Sequence, residues 1–436
     1  MNFKKLLLQS LLWRSLYFAS LLLVNVFLSR FLKAPETGRL YYITSIFSFI
    51  QLLVSLSLES GITFFASGKI IKYNKLLWLS VAWSFIIGLC GLIITFFYLY
   101  FIKQSTLDEI MQYCFFVVCY ITGLMLTNYC SVLFYAQGNF FLSNVILAVI
   151  NIAFVFAIPF NTGSAGKYAV NLVLYRYFLV FFMQGLLLAI AFIIKNKSWQ
   201  QLSMPGFNEL KKLLRYSLTA LAANVIFFLV YRIDYWFVHK NTAVCSASDL
   251  GNYIQVSKMG QLLLIVPQII ASVIFPKSAS GADRAELNTS VMVIARLFSQ
   301  LFLVIILVAA LMGNNIFIFI FGKTFNHMQA PFLIIMPGIF CLSVLALLSA
   351  YFSGKGNLKV TVTGAAIALV VVIAGDYFLV PVYGIIAAAM VSTAGYFVNT
   401  LYSLRQFYKD YSISAGDFFR WKRNDYRWLL SLFTGK

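Results

Sequence analysis

Charge is scarce in this chain, and acidic charge is scarcest. Only 13 Asp and Glu stand in 436 residues, and all charged residues together make up 11%, against about 25% in a typical soluble domain. No paired acidic motif occurs among them, so the carboxylate machinery of a hydrolase or glycosyl-transferring enzyme is missing. Histidine is limited to His239 and His327, which excludes a His-rich metal centre. The six cysteines contain no CxxC pair. Cys90, Cys114, Cys119, Cys130 and Cys341 fall in apolar runs and Cys245 in a loop, so they read as small apolar side chains and not as disulfides or metal ligands.

What the chain has instead is apolar length. Apolar residues form 61% of it, and they recur in runs of about 20, the length that crosses a hydrocarbon core about 30 Å thick. Helices satisfy every backbone group internally in lipid, and continuous apolar runs exclude the alternating pattern of a β-barrel. The expected fold is therefore all-α and polytopic. Spans are expected near 8–30, 41–63, 76–102, 110–135, 140–160, 168–194, 213–238, 251–275, 290–312, 328–351, 358–379 and 383–404. The short run Ile316 to Phe321 either extends the ninth span or forms a re-entrant piece. The first run follows Lys4 and Lys5 but is too long for a signal peptide and lacks a small-residue cleavage site, so it is expected to remain as a helix.

The net charge of +20 does not point to nucleic acid, because the Lys and Arg residues concentrate between the runs, where they set topology. On one side lie Lys4, Lys5, Lys69, Lys72, Lys75, Lys195, Lys197, Lys211, Lys212, Arg215, Lys277, Arg284, Lys355 and Lys359, joined by the basic residues of the tail. The other side holds only Arg30, Lys33, Arg39, Lys103, Lys167, Lys240 and Lys323. The positive-inside rule puts both termini in the cytoplasm, as an even number of spans requires.

The longest internal polar connection, 195–212, divides the runs into two sets of six. The stretch Leu210-Lys211-Lys212-Leu213-Leu214-Arg215-Tyr216-Ser217 echoes Phe3-Lys4-Lys5-Leu6-Leu7-Leu8-Gln9-Ser10 at a constant offset, and Gly38 with Tyr41 echoes Gly251 with Tyr253. Two like-oriented six-helix lobes around a central cavity are expected. They cover 1–194 and 213–404, with a cytoplasmic linker at 195–212 and a cytoplasmic tail at 405–436.

Several segments, in order, resemble the polysaccharide flippases of the multidrug/oligosaccharidyl-lipid/polysaccharide exporter superfamily. They are Arg30-Phe31-Leu32-Lys33-Ala34-Pro35-Glu36-Thr37-Gly38-Arg39-Leu40-Tyr41 and Glu59-Ser60-Gly61-Ile62; then Asp234, Leu250-Gly251-Asn252-Tyr253, Pro267 and Phe275-Pro276-Lys277; then Phe321-Gly322-Lys323-Thr324-Phe325, Gly354-Lys355-Gly356-Asn357 and Val380-Pro381-Val382-Tyr383-Gly384-Ile385. The resemblance spans nearly the whole chain. It implies a bacterial inner-membrane protein, not an enzyme, that exports undecaprenyl-pyrophosphate-linked oligosaccharide units such as O-antigen or capsule repeats. The lipid bilayer and other polysaccharide-assembly proteins are the further partners it implies.

The task has a physical cost. A free hydroxyl moved into hydrocarbon costs about 4–8 kcal/mol, so a glycan needs a polar path and its pyrophosphate needs cations along it. Five basic residues fall inside the expected spans: Arg14, Arg176, Arg232, Lys258 and Arg296. Facing lipid at mid-depth, each would cost at least about 2.5–3.5 kcal/mol. The available acids are Glu59, Asp234 and, close to a helix end, Asp376, which leaves a positive surplus suited to an anion. By depth, Arg14, Glu59 and Arg296 lie in the cytoplasmic third, and Arg176, Arg232, Asp234 and Lys258 in the periplasmic third. The alternative for each is a structural ion pair, Asp234 with Lys258 above all, or a snorkelling side chain. The family's first and seventh helices line its cavity, which makes Arg14 and Arg232 the implied pyrophosphate contacts. Asp234 or Glu59 is instead a candidate for a coupling cation, H⁺ or Na⁺. No other cofactor is expected.

Two further signals are minor. Gly322-Lys323-Thr324 imitates the end of a phosphate-binding loop, but Phe317 occupies the place of its first glycine. From Ser414, with Asp417 completing a capping box, the tail alternates aromatic residues with Arg420, Lys422, Arg423 and Arg427. It reads as a helix on the anionic leaflet or as a docking surface for an assembly partner. A cation-coupled drug antiporter of the same superfamily is the competing reading, although such a carrier favours acidic residues in its first lobe, where the first span offers Arg14 and no carboxylate. A membrane polymerase or glycosyltransferase is the third. Orientation is checked by fusing reporters behind Lys436: green fluorescent protein should fluoresce and alkaline phosphatase should stay inactive, and the reverse pattern refutes the assignment.

Overall fold

The computed structural model describes residues 3–158, 166–200, 203–279, 284–410 and Asp425. Among these residues every regular element is a helix: α1 Phe3–Ser55, α2 Leu58–Ser67, α3 Tyr73–Phe97, α4 Leu107–Ala136, α5 Phe140–Ala157, α6 Lys167–Asn196, α7 Phe207–Lys240, α8 Ala247–Leu263, α9 Ile265–Ala279, α10 Arg284–Phe321, α11 Gln329–Gly354 and α12 Leu358–Asp410. A π-helical turn, Tyr98–Ile102, extends α3. Ten helical stretches are long and apolar enough to cross a membrane, and two of them, 44 and 52 residues long, are too long for one crossing. At 1.5 Å per residue they would reach roughly 66 and 78 Å, more than twice a bilayer core. Each reverses course at one non-helical residue. Lys33 (φ 61°) divides α1 and Gly384 (φ 57°) divides α12, so the ten stretches make the twelve crossings read from the sequence.

Proline chemistry locates these breaks. Pro35 and Pro381 lack the N–H that would reach back four residues, and their rings crowd the carbonyl there. The expected second span is further interrupted where Leu56 and Ser57 turn left-handed (φ 54° and 53°). The expected eighth span breaks at Leu264, where Pro267 leaves the Leu263 carbonyl without its helical donor. The run Ile316 to Phe321 simply completes α10. The eleventh span does not end near 379 but continues to Gly384, which moves Asp376 from a helix end into a helix interior.

By packing, the residues form two compact units, Met1–Leu32 with Leu40–Val225 and Lys33–Arg39 with Ile226–Lys436. The first is organised on α4, which packs against α2, α3, α5 and α6. Its crossing with α6 is a backbone contact: a Cβ on Gly123 would stand 2.3 Å from the Phe181 carbonyl, and one on Gly185 would stand 2.5 Å from the Gly123 oxygen. Lipid tails are as apolar as leucine, so such close approach carries helix association that solvent exclusion cannot. In the second unit α11 is the hub, against α8, α9, α10 and α12, with Thr393 and Thr400 donating across to the Ile334 and Cys341 carbonyls. There, too, the glycines that echo each other in sequence meet. A Cβ on Gly38 would lie 2.6 Å from the Gly251 amide nitrogen.

Contacts between connections agree with alternating crossings. In the first unit Lys75 pairs with Glu209 at 2.9 Å, Ser198 donates to Asn74 and Gln137 to Asn196, all on even-numbered connections. In the second, the Ala34 amide donates to Thr324 and His327 pairs with Asp249 at 2.8 Å, all on odd-numbered ones.

Arg296 forms a buried ion pair with Asp425 at 2.8 Å, with both side chains under 5% exposed. The expected tail helix with its capping box at Ser414 and Asp417 lies outside the described residues, apart from Asp425. Breaking a buried pair leaves an uncompensated charge that costs about 3–5 kcal/mol. Arg296→Met or Asp425→Leu alone should therefore lower the unfolding midpoint sharply, whereas the double variant should recover most of the loss. Thermal unfolding of the reconstituted protein reads both effects.

Candidate functional site

The structure gathers three of the seven singled-out charges in the second unit and gives each of the others a separate place. Arg232 and Asp234 come from α7, Lys258 from α8. Two residues apart on one helix, Arg232 and Asp234 point to different faces. Arg232 is half-buried and donates to Gln261 (2.9 Å) and to the hydroxyl of Tyr235 (3.0 Å), over whose ring it also lies. Lys258, also half-buried, is close enough to Arg232 to feel its charge.

Asp234 is 1% exposed. Its Oδ1 accepts from the Tyr235 amide at 2.9 Å, and its Oδ2 from the hydroxyls of Tyr253 (2.5 Å) and Ser392 (3.2 Å). Lys258 is not among its partners. Asp376, from α12, is 0% exposed, and neither of its oxygens meets a hydrogen-bond donor among the described residues. The two carboxylates interact electrostatically with each other, and both act on Tyr253. Two carboxylates in each other's field, away from water, do not both ionise without compensating positive charge; Arg232 acts on Asp234 in this sense, and no basic side chain pairs with Asp376 among the described residues.

The first unit holds its charges singly. Arg14 of α1 is half-buried with its guanidinium 5.0 Å from the centre of the Tyr135 ring. Arg176 is exposed on α6 and donates to the carbonyl of Ala157, the last residue of α5, at 2.7 Å. A cation at that position complements the negative end of the helix dipole. Glu59 is the second residue of α2, in its first turn. Its Oε2 has no hydrogen-bond partner among the described residues, and it acts electrostatically on Tyr129, whose buried hydroxyl likewise has none among them. Beside these charges runs a satisfied polar chain through α6, α5 and α1, in which Gln184 donates to Asn151 (2.7 Å) and Asn151 to Ser20 (2.9 Å). Arg296 stands apart, bound to Asp425.

Sequence reasoning missed Tyr253 and Ser392 as partners of Asp234, because hydroxyl side chains in spans are common and carry no spacing signal. Asp376 was visible as an intramembrane carboxylate, and only its helix boundary hid its depth. The Gly322-Lys323-Thr324 turn ends α10, with Gly322 at φ 103° and the Thr324 carbonyl accepting from Asn252.

No protein-family model and no curated protein sequence matches the chain. Solved structures do match it, over almost its full length. The Vibrio cholerae MATE transporter VcmN in its bent form aligns with a TM-score of 0.63 at 13% identity, covering 96% of this chain and 98% of that one. An inward-facing multidrug resistance MATE family transporter of the MOP superfamily gives 0.67 at 12% identity, covering 92% and 96%. The lipid II flippase MurJ, in an inward closed conformation, gives 0.66 at 16% identity, covering 97% and 92%. The chain has the twelve-helix, two-lobe fold of the MOP-superfamily transporters, one fold that serves MATE carriers and the lipid II flippase alike.

Proposed function

We propose that the chain is a bacterial inner-membrane flippase that carries undecaprenyl-pyrophosphate-linked oligosaccharide units from the cytoplasmic to the periplasmic leaflet by alternating access. The observation that carries this reading is the surplus of basic over acidic groups within the spans. Arg14, Arg176, Arg232 and Lys258 fall within candidate spans, against Asp234 and Asp376 there and Glu59 in the second span expected from the sequence. Of these cations, Arg232 is the best placed to meet a pyrophosphate, because its guanidinium is held by a neutral amide and a phenol and makes no ion pair among the described residues, although it lies within the field of Asp234. With the cytoplasm negative, outward movement of an anion is downhill by about 2.3 kcal/mol per charge per 100 mV. The Asp234–Asp376 pair is the proposed seat of a coupling cation, H⁺ or Na⁺, whose arrival and departure would bias the two access states.

That carboxylate pair is also what favours the second reading, a cation-coupled antiporter of small molecules, since MATE transporters are among the solved neighbours. Substrate separates the two. Removing the protein from its host should make lipid-linked oligosaccharide accumulate on the cytoplasmic face, and Arg232→Ala should cut the rescue about tenfold or more, as expected for loss of a charge-assisted contact. No accumulation, together with new sensitivity to cationic drugs, would establish the antiporter instead.

A further inference from the structure

At the odd-numbered end of the second unit, the connections after α7, α10 and the first part of α12 enclose a cavity of about 550 Å³. Its size falls in the usual range for a small-molecule site, about 300–1,000 Å³. Although the chain carries a net charge of +20, no Lys or Arg lines this cavity. Its polar wall is made of Asp249, His327, Asn314, Asn326, Gln329 and Tyr383, and its floor of aliphatic side chains such as Leu333 and Ile385.

The wall is built and held. Ser246 caps α8 and fixes Asp249 through its amide (2.9 Å) and its hydroxyl (2.7 Å). Asp249 in turn takes the Nδ1 of His327 at 2.8 Å, and Asn252 accepts from the His327 amide at 3.1 Å. The imidazole is thereby held through Nδ1, and its Nε2 makes no hydrogen bond among the described residues. Gln329 spends its amide nitrogen on the Ala309 and Ala310 carbonyls, both at 3.1 Å, which leaves Oε1 free to accept. The side-chain amides of Asn314 and Asn326 and the hydroxyl of Tyr383 make no hydrogen bond among the described residues, and Tyr383 is 64% exposed. Gly384, where the chain reverses, lines the same cavity beside that ring.

We propose that this cavity is a subsite for an uncharged pyranose ring of the transported glycan, on the side where the sugar is delivered. A pyranose offers alternating donors and acceptors around its rim and an apolar C–H face, and amide, imidazole and phenol groups over an aliphatic floor match both features. A phosphate or pyrophosphate finds no cation here. A metal finds too few ligands, since no group of three or more His, Cys, Asp and Glu stands together among the described residues, and Asp249 is already saturated. The inference rests on the flippase reading for its choice of ligand and for the direction of delivery, but the cavity's chemistry is independent of it.

The test uses the full chain in lipid nanodiscs and saturation-transfer difference NMR. The probes are neutral trisaccharides of glucose, mannose, galactose and N-acetylglucosamine, with glucose 1-phosphate and Zn²⁺ titrated in parallel. At least one neutral trisaccharide should bind. Tyr383→Ala and Asn326→Ala should each weaken it by about tenfold, the scale of one lost polar or packing contact, with unfolding midpoints unchanged. Tyr377→Ala, an equally exposed aromatic outside the cavity, should have no effect. The proposal is overturned if no neutral trisaccharide binds, if both cavity variants bind like the parent, or if glucose 1-phosphate or Zn²⁺ is the preferred ligand. Trisaccharide binding without accumulation of lipid-linked oligosaccharide in the depleted host would retain the cavity and remove the flippase reading. Accumulation without binding would do the reverse.

Discussion

An ionised carboxylate cannot rest in a lipid-embedded interior without a positive charge or a set of donors, and that constraint bears most heavily on the buried acids of the second unit. Asp234 meets it with two hydroxyls and a backbone amide. Asp376, wholly buried and within its electrostatic reach, meets it with nothing among the described residues. Structural acids in the same chain are resolved differently. Asp425 has Arg296 at 2.8 Å, Glu209 has Lys75 and Glu109 has Lys103. Asp376 shares its lack of donors among the described residues with Glu59 Oε2 in the first unit, and under the proposed function a proton or other cation at Asp376 is what would link an ion gradient to a conformational equilibrium.

The second physical theme is the treatment of breaks. Interrupting a helix in lipid exposes backbone groups that only protein or a polar cavity can satisfy. Here the breaks at Lys33, Leu56 and Gly384 fall next to residues that repair them or line a cavity. The Ala34 amide just past the first break takes Thr324, Ser55 Oγ accepts from the Ser57 amide, and Gly384 lines the cavity. Irregular backbone thus sits where polar chemistry is wanted.

Much of the fold was legible beforehand. Twelve apolar runs, the alternation of Lys and Arg between connections and the two six-helix sets follow from bilayer thickness and insertion electrostatics, which act on composition over some 20 residues at a time and so survive low sequence similarity. Less legible was where helices bend. Pro35, Pro267 and Pro381 stand at three of the breaks, whereas the left-handed Leu56 and Ser57 carry no residue-type signal. At the site, intramembrane charges were conspicuous because each is expensive in lipid, so Arg232, Asp234 and Lys258 were legible as candidates. Their partners were not. Whether Arg176 serves a substrate or caps α5 depends on where the Ala157 carbonyl lies, and whether Arg296 is open or paired depends on Asp425, 129 residues away in sequence.

The account stands or falls on the occupancy of the Asp234–Asp376 pair. Carboxylate-stretch infrared difference spectroscopy on the reconstituted protein, comparing buffers with and without Na⁺ and stepping pH at fixed ionic strength, reads it directly. A saturable change from Na⁺ or from protons, present in the parent and absent in Asp376→Asn, is the expected result. A spectrum indifferent to both ions, or one that changes identically in the variant, would contradict the claim that this buried pair holds the coupling cation.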